Sequence, residues 1–80
     1  MLLPEEEEKL SRLGKHIVEL RAKRNLKQYE LSDLLDIDVR VIRRIEKGKM
    51  NFKIHMLFRL ATALNVSPES LIEMSFGKDE

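Results

Sequence analysis

The stretch KQYELSDLLDIDVRVIRRIEKGK, residues 27–49, decides the fold, because it contains two short helical segments with very little chain between them. The spacing of its apolar residues predicts one helix from about Gln28 to Leu35 and a second from about Val39 to Lys47. The positions expected to face the core are Leu31, Leu34, Leu35, Ile42 and Ile45.

The connection between these two helices consists of Asp36, Ile37 and Asp38. So short a connection requires a left-handed backbone at Asp36, which aspartate tolerates better than a β-branched residue. Asp38 should cap the second helix by accepting backbone N–H groups, and Ile37 should point inward. The sequence therefore predicts a sharp turn between the two helices.

A longer helix precedes this unit, from about residue 6 to residue 24, with an apolar stripe of helical period at Leu10, Leu13, Ile17 and Leu20. Asn25 should end it in a left-handed conformation. Gly14 lies inside the helix, which indicates either the close approach of another helix or a tolerated surface glycine.

Two further helices follow. Gly48 should end the helix before them, and a fourth helix should bury an apolar face after the loop of residues 49–53. That face comprises Ile54, Leu57, Phe58, Ala61 and Leu64. Asn65 should end the fourth helix, and Ser67 with Pro68 should open a fifth that carries Leu71 and Ile72. We therefore expect an all-α protein of five helices, with residues 1–80 as one domain and its core at about 10–73.

Composition limits the classes of function. The 80 residues contain no cysteine, so disulfides and thiolate metal sites are excluded, and a reducing, cytoplasmic setting is expected. No stretch has the length and apolarity of a membrane span or secretory signal. The net charge of +1 conceals a basic centre: residues 10–60 carry thirteen Lys and Arg against six acids, whereas each end has a charge of −3. Such a centre suits a polyanionic partner, although charge runs are often merely solvated.

Residues suited to catalysis are few. His16 and His55 fall in different predicted helices, outside the HExxH spacing of a zinc site, and we expect both to be surface or half-buried residues. No GxSxG motif or glycine-rich phosphate loop occurs. We expect no enzyme, metal, cofactor or small-molecule ligand.

The basic residues of the third helix are better suited to binding. If Ile42 and Ile45 face the core, helical geometry turns Val39 and the arginines at 40, 43 and 44 outward. Arg40 and Arg44 lie one turn apart, where guanidinium groups could contact guanine O6 and N7, and Val39 could contact a thymine methyl. The alternative is that these arginines only solubilise the helix.

From Leu13 to about Leu71 the chain resembles the phage-repressor and Cro-like helix-turn-helix domains, the XRE family. The segments that carry the resemblance are LGKHIVELRAKRNLKQ, YELSDLLDID, IRRIEKGK and LFRLATALNVSPESL. The resemblance implies a compact, lambda-repressor-like DNA-binding domain with its helix-turn-helix at about residues 28–47. It also implies a homodimer on operator half-sites about one helical turn apart.

The resemblance also implies roles for individual residues. Val39, Arg40 and Arg44 fall where relatives contact bases. Gln28 falls where they bond a phosphate, and the other phosphate candidates are Lys27, Arg43, Lys49, Asn51 and Lys53. Arg21 and Glu46 match a largely buried ion pair that holds the reading helix.

Three positions depart from the pattern. Asp36 replaces a frequent glycine, Asp38 replaces the usual Ser or Thr cap, and Phe52 replaces a loop proline and could fill the core edge or face a partner. The two carboxylates would lie near the DNA backbone. Val41 is expected to be exposed, without an assigned role.

The leading hypothesis is a sequence-specific, double-stranded DNA-binding transcriptional regulator. Its regulatory context is open between an antitoxin, a restriction-modification controller and a stand-alone regulator. The alternative is a protein-interaction module of the same fold. Under either hypothesis, a self-association face is expected at Leu71, Ile72, Met74 and Phe76.

Overall fold

The computed structural model describes residues 2–77, which form five α-helices and, within that range, no strand. The helices are α1 (Pro4–Lys23), α2 (Gln28–Leu35), α3 (Val39–Glu46), α4 (Ile54–Ala63) and α5 (Pro68–Phe76). The prediction of an all-α five-helix fold is confirmed. The first helix begins two residues earlier than expected because Pro4, with its φ already helical, occupies its first turn.

The predicted helix ends are confirmed by their backbone angles. Asn25, Asp36 and Asn65 have φ values of 57°, 57° and 63°, and Gly48 has a φ of 71°. Each follows a helix and reverses the chain direction within one or two residues, as left-handed residues do at helix C-termini. The turn at Asp36 thereby sets the angle between α2 and α3.

The caps at the starts of α3 and α5 are also as predicted. An Asp38 carboxylate oxygen accepts the backbone N–H of Arg40 at 2.8 Å. The Ser67 hydroxyl accepts the backbone N–H of Ser70 at 3.0 Å, and Pro68 follows at the first helical position. These bonds satisfy N–H groups that have no partner inside a helix.

The core is one apolar cluster to which all five helices contribute. Its buried members are Leu13, Ile17, Leu31, Leu35, Ile42, Ile45, Leu57, Leu60, Ala61, Leu64 and Leu71. Ile37, Val41 and Phe52 pack against it from partly exposed positions. Phe52 therefore lies at the core edge, and the expectation that Val41 is exposed is wrong.

Three apolar residues expected in the core are exposed. Leu34 is 58% exposed, because α2 buries the face formed by Leu31, Ser32 and Leu35. Ile54 and Phe58 are exposed because they lie one turn apart on one flank of α4, beside the buried stripe that contains Leu57 and Leu60. In each case, the apolar spacing was compatible with two neighbouring faces of the helix.

Gly14 marks the crossing of α1 and α3. A Cβ atom at this position would lie 2.5 Å from the Glu46 carbonyl oxygen and 2.6 Å from that of Ile45. The first of the two interpretations, a close helix approach, is therefore confirmed. No helix within residues 2–77 has the length and apolarity needed to span a membrane.

Candidate nucleic-acid interface

The outer face of α3 is basic. Its arginines at positions 40, 43 and 44 are exposed, whereas Ile42 and Ile45 are buried on the opposite side. Arg40 and Arg44, one turn apart, line a shallow depression of about 280 Å³ together with Asp38, Val41 and Met50. Val39, at the start of the helix, is half-buried. The structure thus brings two of the three predicted base-reading residues to one open surface.

Arg40 is paired with the cap of its own helix. Its Nη2 donates to Asp38 Oδ2 at 2.8 Å, and its Nε is 3.2 Å from both carboxylate oxygens. Both side chains are solvent-accessible, at 80% for Arg40 and 47% for Asp38. The side-chain hydrogen bonds from Arg40, followed by the Arg40 backbone N–H, lower the pKa of Asp38 to about 2. The same contact raises the pKa of Arg40 above its ordinary value.

A second set of hydrogen bonds joins α1, α2 and α3 behind this surface. Arg21 Nε donates to Glu46 Oε2 at 2.6 Å, Arg21 Nη2 donates to Glu46 Oε1 at 3.2 Å, and Arg21 Nη1 donates to the Leu26 carbonyl at 2.9 Å. Gln28 Nε2 also donates to Glu46 Oε1, at 2.8 Å. The Glu46 side chain is 5% exposed and that of Arg21 is 16% exposed. These bonds fix the C-terminal end of α3 against the other two helices.

Gln28 therefore has a partner inside the protein, which the sequence did not reveal. Its Oε1 also accepts a long hydrogen bond from Arg43 Nε at 3.4 Å. The chain of contacts runs from Arg21 through Glu46 and Gln28 to Arg43, so that a phosphate candidate on α2 touches another on α3. The buried Glu46 carboxylate is thereby connected to the exposed Arg43 guanidinium through the side-chain amide of Gln28.

The remaining predicted phosphate residues lie at two places. Lys27 is exposed at the N-cap of α2, where its backbone N–H donates to Glu30 Oε1 at 2.8 Å. Lys49, Asn51 and Lys53 are exposed along the loop between α3 and α4. Lys49 also lines a depression with Glu7 of α1, so an acidic residue lies close to this part of the loop.

Two basic residues of the central region serve the fold. Arg24 donates a hydrogen bond to the Ala63 carbonyl, and Arg59 donates to the Leu35 carbonyl at the end of α2. Cations at a helix C-terminus satisfy carbonyls that lack partners within the helix. The positive charge counted from the sequence therefore does not all belong to one binding surface.

The histidines are surface or half-buried residues, as predicted: His55 is exposed and His16 is half-buried. His16 Nδ1 lies 3.1 Å from the Ser75 hydroxyl, which itself donates to the Leu71 carbonyl at 2.9 Å. Because the one hydroxyl proton is used in that bond, His16 Nδ1 must be the donor to Ser75. Within residues 2–77, no cluster of three or more His, Cys, Asp or Glu could hold a metal ion.

Comparisons with known proteins agree with this geometry. Residues 17–71 match the Helix-turn-helix family model HTH_3, which covers more than half of the chain. The restriction-modification controller protein C.AhdI from Aeromonas hydrophila is similar in structure, with a TM-score of 0.74 and 32% sequence identity over 78% of this chain and 94% of that one.

The clp gene regulator ClgR from C. glutamicum has the same fold, with a TM-score of 0.82 and 18% identity over 90% of this chain and 92% of that one. The comparison with curated protein sequences gives no significant match. The chain belongs to the XRE family of helix-turn-helix proteins, and it is a DNA-binding regulator rather than an enzyme.

Proposed function

We propose that this protein binds double-stranded DNA sequence-specifically, with α3 in the major groove, as a homodimer on paired half-sites. In this proposal Arg40, Arg44 and Val39 contact base edges. The phosphate contacts come from Lys27, Gln28, Arg43, Lys49, Asn51 and Lys53. The protein acts at a promoter by occluding it or by recruiting a partner.

The observation that carries the proposal is the exposed arginine face of a rigidly held α3. Arg40, Arg43 and Arg44 are exposed although the helix that bears them is anchored by two buried isoleucines and by Glu46. A helix anchored in this way presents its outer side chains at fixed positions, which discrimination between base pairs requires. A helix needed only for solubility has no need of so fixed an orientation.

The dimer contact is proposed at the surface shared by α5 and the start of α4. Ile54 and Ile72 are exposed there, and Phe76 is half-buried. Met74, which the sequence suggested for the same contact, is exposed but lines a separate depression with Glu69, Ser70 and Glu73. An apolar depression of about 280 Å³ between Leu10, Ile54, Ile72 and Phe76 continues this surface. Leu71, which the sequence suggested for the same contact, is fully buried and belongs to the core instead. Clustered exposed apolar side chains favour association.

A more specific role is supported by one of the relatives. C.AhdI is a restriction-modification controller and is 32% identical over most of both chains. We therefore favour a controller role over an antitoxin role for this protein. A reporter fused to the DNA upstream of its own coding region should respond to the concentration of the protein, and a flat response would argue for other target genes.

The test is selection from random duplexes, followed by binding measurements across salt concentrations. We expect an enriched, two-fold symmetric sequence and a slope of log affinity against log salt of about −0.9 per phosphate neutralised. Arg44→Ala should relax the preference at one base pair of each half-site, whereas Lys49→Ala should weaken all duplexes evenly. Failure to enrich any sequence would refute the proposal and favour a protein-interaction module of the same fold.

A further inference from the structure

The pairing of Arg40 with the cap of its own helix suggests a second function for that cap. We propose that Asp38 is a positioning residue for base recognition: it holds one edge of the Arg40 guanidinium and leaves the other edge directed to a guanine. This inference rests on the proposed function of α3. It assigns to Asp38 a part in sequence preference, beyond capping the helix.

In this ion pair, the N–H donors of Arg40 that are suited to a guanine contact remain unused. A guanidinium has five N–H donors, and Asp38 engages those on the side edge, Nε at 3.2 Å and Nη2 at 2.8 Å. One proton of Nη1 and one of Nη2 stay available on the end edge of the group. That edge has the spacing that matches guanine O6 and N7 in a bidentate contact. Asp38 and guanine can therefore be bound at the same time by one arginine.

Both carboxylate oxygens are needed for this arrangement. Oδ1 accepts the backbone N–H of Arg40 at 2.8 Å and caps α3, while Oδ2 accepts from Nη2. A serine or threonine could cap the helix through its single oxygen but could not also hold the side edge of the guanidinium. The acidic residue at this cap thus makes a contact that an ordinary cap residue cannot make.

The stability of the folded protein gives little explanation for the ion pair between Arg40 and Asp38. Arg40 and Asp38 are both solvent-exposed, and exposed ion pairs contribute little to folding. A carboxylate next to a DNA-facing helix also repels phosphates, which lowers affinity for every sequence. Holding the Arg40 side chain in place before DNA binds reduces the conformational entropy that is lost on binding. The resulting gain in affinity is limited to DNA sequences that carry the base contacted by Arg40.

The experiment compares Asp38→Asn with Asp36→Asn. Both variants remove one negative charge near the same helix, but the structure pairs Asp38, and not Asp36, with Arg40. Asparagine is a good cap and tolerates the left-handed conformation of residue 36, so both variants should fold. Melting temperatures verify this, and a drop in the melting temperature of Asp38→Asn is checked with Asp38→Ser as a second cap-preserving variant.

Binding is measured for duplexes that differ at the base pair whose preference is lost in Arg40→Ala. We expect Asp38→Asn to reduce the preference for guanine at this base pair roughly threefold to tenfold, a part of the discrimination that one bidentate contact provides. Asp36→Asn should raise the affinity for all duplexes equally. In the Arg40→Ala background, Asp38→Asn should leave the preference unchanged.

Other outcomes overturn the inference in distinguishable ways. If Asp38→Asn only raises affinity evenly, as Asp36→Asn does, then the carboxylate merely repels phosphates. If Asp38→Asn changes the preference in the Arg40→Ala background, then Asp38 acts without the arginine. If the wild-type protein prefers no sequence, then the proposed function fails and this inference fails with it.

Discussion

At the scale of single residues, two arginine–carboxylate pairs of similar geometry have different surroundings. The shortest contact of the pair between Arg21 and Glu46 is 2.6 Å, and that of the pair between Arg40 and Asp38 is 2.8 Å. The first pair is largely buried, so removal of one partner leaves a charge without solvent or counterion. The second is exposed, so its effect on folding is small and its effect on the position of a side chain is the larger one.

The buried pair makes Arg21 important for stability. We expect Arg21→Ala to lower the free energy of unfolding by about 3–5 kcal/mol, because Glu46 would lose its cationic partner in a nearly closed site. Lys23→Ala, at an exposed position in the same helix, should change stability by less than about 0.5 kcal/mol. Denaturant titrations of both variants measure the difference, and equal unfolding midpoints would contradict the prediction.

The exposed pair should be visible in the titration of Asp38. Its carboxyl group should titrate at about pH 2 in the wild-type protein, and in Arg40→Ala its midpoint should rise toward the ordinary value of 3.8. Because the folded-state pKa is the lower one, the stabilisation is complete above about pH 4 and is lost as the pH falls toward 2. NMR of the side-chain carboxyl carbon measures the midpoint. An unchanged midpoint in Arg40→Ala would show that the pair does not form in solution.

At the scale of helices, the position of α3 depends on close approach and on a tight turn. Gly14 lets the backbone of α1 meet the last turn of α3, and Asp36 reverses the chain between α2 and α3 in a left-handed conformation. Both features were recognisable in the sequence, because a glycine inside a helix and an aspartate at a helix C-terminus can each be identified from the few residues around them. The partner of Gly14 was not recognisable, because Glu46 is far away along the chain.

The close crossing of α1 and α3 predicts an unusual effect of the substitution Gly14→Ala on protein stability. In an open helix, Gly→Ala stabilises by about 1 kcal/mol, but at Gly14 the added methyl group would lie 2.5 Å from a backbone carbonyl oxygen. We expect Gly14→Ala to destabilise the protein by about 1–3 kcal/mol, as overpacking does. Lys15→Ala, at the exposed neighbouring position, is the control. Thermal unfolding measures both, and a rise in melting temperature for Gly14→Ala would show that α1 and α3 are farther apart.

At the scale of the whole molecule, four of the exposed apolar residues lie on two separate surfaces. Leu34 and Phe58 line a depression of about 400 Å³ between α2 and α4, whereas Ile54 and Ile72 belong to the surface proposed for dimerisation. The arginines of α3 lie on a third surface. Self-association through α5 would therefore leave the arginines of α3 uncovered, whereas Lys53, one of the proposed phosphate contacts, lines the dimer surface.

The proposed dimer makes a prediction that separates the two apolar surfaces. Ile72→Glu places a charge on the exposed apolar surface of α5 that is proposed for the dimer and should convert the dimer to a folded monomer. Thr62→Glu, beside the depression between α2 and α4, should leave the dimer intact. Leu71→Ala should instead destabilise the fold by about 2–5 kcal/mol, because Leu71 is in the core. Sedimentation equilibrium distinguishes these results, and dissociation by Thr62→Glu alone would move the interface to α2 and α4.

The amino-acid sequence by itself determined the five helices and the residues that end them. Helical period, capping by Asp38 and Ser67, and the left-handed Asn25 and Asp36 depend on neighbours a few residues away, so local chemistry was sufficient. It also placed the arginines of α3 opposite two buried isoleucines, because both sets lie on the same short helix.

Only the tertiary structure decided which flank of a helix is buried and which polar groups meet. Leu34 and Phe58 fit the apolar period, yet the packing of neighbouring helices leaves both exposed. The hydrogen bond from Gln28 to Glu46 joins residues 18 positions apart, and it depends on how α2 and α3 cross. The physical reason is the same in each case: helical period restricts a side chain to a broad face, whereas distant parts of the chain determine what that face contacts.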